Sequence, residues 1–91
     1  MAEFMTEDDV NWIFEQAFST RKLVTLGNKH FTAAEFKMHY LNGNRNIKQS
    51  DIKFTDPFEL VRLGKEKLYD LMSRQLLFEQ KIDGYMKGHI R

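Results

Sequence analysis

Three histidines, His30, His39 and His89, are the side chains best suited to metal ligation or proton transfer, and their placement supports neither. They hold no recognised metal-ligand spacing to one another or to carboxylates, and nothing matches HExxH or a related site. Ser19, Ser50 and Ser73 lie in no nucleophile context. Gly27, Gly43, Gly64, Gly84 and Gly88 are scattered punctuation and do not form a phosphate-cradling loop. Without cysteine, disulfides and thiolate-held zinc or iron–sulfur centres are excluded. The expectation is a non-enzyme with no catalytic residue, metal, cofactor or small-molecule substrate.

Binding chemistry has more to stand on. Residues 41–51, LNGNRNIKQSD, are rich in asparagine, and they lie in a basic block. Residues 1–20 carry Glu3, Glu7, Asp8, Asp9 and Glu15 with no Lys or Arg, a charge of −5. Residues 21–55 carry seven bases against two acids, +5, and the remainder adds +1, so the whole chain is +1. Arg21, Lys22, Lys29, Lys37, Arg45, Lys48 and Lys53 would meet phosphates, and Asn44 is placed to reach a base edge. This nucleic-acid reading is the alternative one. A pI near 8.0 falls short of a dedicated binder, and balancing the acidic N-terminus inside one fold needs no ligand.

The favoured reading is a small regulatory or inhibitory protein that binds a protein partner, with self-association as one form of it. Trp12 lies away from the apolar face of its helix, on the side of Asp8 and Glu15, where a lone indole can anchor a partner. Farther on, Val61, Gly64, Leu68, Leu71, Gln75, Phe78, Ile82 and Tyr85 recur in steps of three and four, as in a coiled-coil seam. Leu71, Phe78, Ile82 and Tyr85 are its recognition residues if the seam faces a second helix, giving a homodimer. If the first two helices cover it, the seam is core.

The elements that must hold these residues follow from caps and periodicity. Thr6 caps a first helix whose Val10, Ile13, Phe14, Ala17 and Phe18 repeat at helical spacing. Leu23 to Phe31 changes period around Gly27-Asn28 and predicts a short hairpin. Thr32 and Glu35 form a capping box opening a second helix, which Asn42-Gly43 ends. Its apolar residues lie on opposite sides, which predicts a helix sandwiched within the monomer. Residues 51–55 alternate as a third strand would. Asp56, Pro57 and Glu59 start a long helix that continues to about Ile82, with Asp83-Gly84 as its end. On it Phe58, Tyr69, Met72 and Leu76 are expected to pack on the domain.

These readings add up to an α+β fold, mainly α: helix, short β-hairpin, helix, third strand and long C-terminal helix. Residues 1–4 read as an appended or ragged N-terminus, and 5–91 as one small globular domain. Eight Phe, three Tyr and one Trp supply a core large enough to do without staples. No apolar run approaches a membrane span and the acidic N-terminus is no secretory signal, so a cytoplasmic protein is expected. The Asn, Lys, Phe and Ile content suits an A/T-rich bacterial or phage accessory gene.

Overall fold

The computed structural model describes residues 4–90, with side chains described through Gly84. The fold is α+β and mainly helical, with a three-stranded antiparallel sheet and a long C-terminal helix. In chain order the elements are α1 (Glu7–Thr20), β1 (Leu23–Leu26), β2 (Lys29–Phe31), α2 (Ala33–Leu41), a 3₁₀ turn (Gln49–Asp51), β3 (Ile52–Thr55), α3 (Pro57–Arg62) and α4 (Leu68–Ile90).

Local chemistry sets most boundaries. Thr6 Oγ1 accepts the Asp9 amide and Asp9 Oδ2 accepts the Thr6 amide, so two orphan donors at the start of α1 are satisfied reciprocally. Thr32 and Glu35 repeat the device at α2. Asp56 caps α3 through the Phe58 amide, with Pro57 in the first turn. α1 ends on Arg21, held in the left-handed conformation at φ 56°.

The sheet order is β2-β1-β3, with the hairpin closed by Gly27 at φ +63°. Val24 stands opposite Phe31 and Phe54, and Leu26 opposite Lys29 and Ile52, which defines one face. Thr25 stands opposite His30 and Lys53, and Leu23 opposite Thr55, which defines the other. The first face closes on α1 and α2 in the main core, where Val10, Ile13, Val24 and Phe36 are almost wholly buried. Each such side chain contributes about 1.5–3 kcal/mol. Met5 and Ile47 are buried in the same core, and Phe4 forms an antiparallel bridge with Lys48. The second face carries a polar ladder, with Thr25 Oγ1 2.9 Å from His30 Nδ1 and 2.6 Å from Thr55 Oγ1. Beside it Leu23, Leu60 and Leu71 form a smaller cluster under α3 and α4.

α2 packs against α1 on one side and α4 on the other, as its two apolar sides predict. The C-terminal segment departs from expectation in two ways. It is not one helix from residue 57 to 82: α3 stops at Arg62, Gly64 adopts φ +75°, and α4 starts at Leu68. The amides of Lys65 and Glu66 turn back onto the Leu60 carbonyl, a left-handed helix end that overrides the helix-forming Lys-Glu-Lys that follows. α4 then runs through Asp83-Gly84 to Ile90. The second departure is that the inward and outward sides of this segment are exchanged, as described next.

Candidate functional site

Helical phase and burial together divide α4. Leu71, Gln75, Phe78 and Ile82 occupy the side turned toward the domain: Leu71 is buried and the other three are half-buried. Gln75 Oε1 accepts the Ala34 amide at 3.1 Å, at the start of α2. Beside it, Arg74 donates from Nη2 to the His30 carbonyl (2.9 Å), from Nη1 to Glu66 Oε2 (3.0 Å) and from Nε to Glu35 Oε1 (3.3 Å). Gln75 and Arg74 therefore join α4 to α2 and β2, while Leu71 packs with Leu23 and Leu60. The upstream part of the seam is interrupted, because Gly64 lies in the turn and breaks the phase between Val61 and Leu68. Leu71 is covered by the monomer itself, and Tyr85 lies outside the residues whose side chains are described.

Phe58, Tyr69, Met72 and Leu76, expected to pack inward, are outside. Their exposures are 62%, 80%, 59% and 60%. On α4, Leu68 (40% exposed) joins Tyr69, Met72 and Leu76 within an arc of roughly 100°. Four large apolar side chains thus form a continuous stripe along the N-terminal half of the longest helix. Tyr69, Met72 and Leu76 share one side by period alone, but Phe58 belongs to a separate helix because α4 restarts after Gly64. The residue signal for that restart was Gly64 itself, followed by a cation-rich turn.

Trp12 is also exposed, at 52%, and its indole makes no hydrogen bond or ring contact among the described residues. Asp8 and Glu15, four residues before it and three after, have no ion-pair partner among the described residues. Phe18, 53% exposed, stacks on Phe14 at 6.0 Å and so belongs to the helix edge.

The basic block is dispersed. By strand register Lys29 lies on the core-side face of the sheet and Lys53 on the opposite one. Lys37 sits 4.9 Å above the Phe14 ring and Arg45 4.9 Å from the Tyr40 ring, so both serve cation–π contacts within the monomer. Arg21 is the left-handed cap of α1, Lys48 pairs with Phe4, and Lys22 is exposed. Asn44 donates to the His39 carbonyl at 3.0 Å, fastening the loop to the end of α2. An open depression of about 260 Å³ lies between that loop and His39. Burial, reinforced by the positive charge of Lys29 and partly opposed by Glu35, holds the His39 imidazole below its ordinary 6.5.

Among the described residues no three His, Cys, Asp or Glu side chains gather as a metal site, and no helix is long and apolar enough to cross a membrane. Known protein families, curated proteins and solved structures offer no match to this chain.

Proposed function

We propose that this chain is a small non-enzymatic regulatory protein that works by covering the surface of a protein partner. The observation that supports this is the α4 stripe: Leu68, Tyr69, Met72 and Leu76 remain 40–80% exposed while Leu71 on the same helix is buried in the monomer. Contiguous exposed apolar surface on a monomer marks an interaction site far more often than scattered single residues do. Trp12 supplies a second anchor on α1, of the residue type most enriched among interface hot spots. Covering a partner requires apolar anchors on a rigid scaffold, and it requires no chemistry. The nucleic-acid alternative gains nothing from lysines divided between opposite faces of the sheet.

The experiment is affinity capture from the native host with the wild type, with Met72→Asp/Leu76→Asp, and with Trp12→Ala. Because these positions are exposed, thermal stability should change by no more than about 0.5 kcal/mol. The specifically captured protein should be lost from the double variant and reduced with Trp12→Ala. Full capture by folded double and single variants would count decisively against the reading.

A further inference from the structure

We infer that the outer face of α1 receives a basic segment of the protein partner, with an arginine laid over the Trp12 indole beside Asp8 and Glu15; this rests on reading the chain as one that covers a protein surface. Helical phase places Asp8, Trp12, Glu15 and Ser19 within an arc of about 60°. All four are exposed, and the arc lies away from Val10, Ile13 and Ala17, which α1 buries. Asp8 stands four residues before Trp12 and Glu15 three after it, the spacings at which side chains on a helix are neighbours. One cation over the indole is therefore within reach of both carboxylates.

Both carboxylates lack a cation of their own. Three and four residues to either side of each, where a helix forms its own ion pairs, stand Phe4, Met5, Asn11, Trp12, Phe18 and Ser19, with no Lys or Arg. Neither acid has an ion-pair partner elsewhere among the described residues. Asp8 lies in the first turn and complements the helix dipole there, but Glu15, two turns farther on, gains nothing from it. The ring carries the same signature. Lys37, Arg45 and Lys81 each lie 4.9 Å from a ring centre, on Phe14, Tyr40 and Phe78. Trp12, whose indole attracts cations more strongly than those rings, has no such cation among the described residues.

The sign of the face selects the occupant. An apolar partner would strip water from two carboxylates and return no counter-charge. An acidic partner or a nucleic-acid backbone would be repelled. A guanidinium can lie flat on the indole while its edge donates to a carboxylate, a combination that an ammonium does not offer. The α4 stripe takes no part in this contact, because α1 and α4 each pack on α2 and not on one another.

Trp12 is the only tryptophan, so its emission reports on this face directly. The whole chain is +1, so its overall charge does not draw a cationic peptide. The test titrates a short glycine–serine peptide bearing arginines, and the same peptide with citrulline in their place, with circular dichroism confirming that each variant is folded. The arginine peptide should change Trp12 emission saturably, and its binding should weaken as salt rises from about 0.05 M to about 0.5 M. The citrulline peptide should not bind. Asp8→Asn/Glu15→Gln should weaken binding of the arginine peptide about threefold to tenfold. Trp12→Leu, followed by NMR, should weaken it about twofold to fivefold. An emission unchanged at about millimolar peptide, equal binding of the citrulline peptide, or indifference to Asp8→Asn/Glu15→Gln overturns the inference. A captured partner that depends on Trp12 but not on the two acids or on salt removes the basic segment, while the docking reading stands. Binding of the arginine peptide as expected, with capture untouched by Met72→Asp/Leu76→Asp, leaves the α1 contact standing without the stripe.

Discussion

Gln75 of α4 accepts the backbone N–H of Ala34 at 3.1 Å, so a side chain 41 residues downstream caps the start of α2. Ala34 is fully buried, and its amide is one of the first-turn donors that the helix itself cannot satisfy. Gln75→Leu keeps the volume and removes the acceptor. It should cost about 1–3 kcal/mol, the price of an unpaired buried amide, although it also removes the unpartnered buried Gln75 Nε2. Chemical denaturation measures this, and native-state hydrogen exchange should show the first turn of α2 losing protection. A variant as stable as the wild type would mean that water replaces the cap.

Arg74 carries the rest of the joint. Its guanidinium lies between Glu35 and Glu66, whose side chains are 20% and 19% exposed, and it also holds the His30 carbonyl. Glu35 Oε1 meanwhile accepts the Thr32 amide, so the same carboxylate serves the α2 capping box. Arg74→Ala leaves two carboxylates without their shared cation and a carbonyl without its donor. A loss of about 2–3 kcal/mol is expected, reduced by partial solvent access. Arg74→Lys should recover less than half of it, because an ammonium cannot span three acceptors in a fork. Urea titrations of both variants decide the matter, and equal stability of Arg74→Lys and wild type would show that only charge counts.

The same joint explains which parts of the fold could be read from the sequence. The Thr6 cap, the Thr32 capping box, the Asp56-Pro57 start and the Gly27 turn are local signals, and each of these elements begins where its signal lies. β3 exists because Ile52 to Thr55 completes a sheet whose central strand is β1. Tertiary preference decided the rest. Phe78 and Ile82 against Tyr69, Met72 and Leu76 are two apolar stripes on one helix, and period alone does not say which faces inward. Arg74 and Gln75 settle it, since their acceptors and donors lie on α2, β2 and the turn before α4. Three of these four contacts span some 40 residues, which no local pattern contains. The stretch from Asn44 to Lys48 is likewise a fastened connection: Asn44 bonds to His39, Ile47 is buried, and Lys48 bridges to Phe4.

His39 gives the fold a pH dependence of defined sign. Burial and Lys29 disfavour its charged form in the folded state, so its pKa is lowered relative to the unfolded value near 6.5. The unfolded chain then binds more protons below that value. The contribution to stability is complete above about pH 7 and is lost as pH falls through 6.5 toward the folded pKa. Lys29→Gln should raise the His39 pKa, and His39→Gln should flatten this part of the stability profile. Imidazole titration by NMR with melts at pH 5 to 8, a window of about three units, reads both effects. A His39 that titrates at or above 6.5 would contradict the account.

Two glycines should respond to alanine with opposite signs. Gly64 ends α3 at φ +75°, and a Cβ there would meet nothing within 4 Å, so the cost of Gly64→Ala is purely conformational. About 1–2 kcal/mol is expected for forcing an L-residue into the left-handed region. Gly64→Asn should cost less, because asparagine tolerates that region. Gly84, read from sequence as a helix end, lies inside α4 with no positive φ, and a Cβ there also meets nothing within 4 Å. Gly84→Ala should therefore stabilise the helix by about 0.5–1 kcal/mol through the lost freedom of the unfolded chain. Thermal melts of the three variants separate the effects: Tm should fall with Gly64→Ala, fall less with Gly64→Asn, and rise with Gly84→Ala. If Gly64→Ala instead raised both Tm and helical ellipticity, α3 and α4 would have fused into one helix, and the turn that delivers Glu66 to Arg74 would not be the preferred state of the chain.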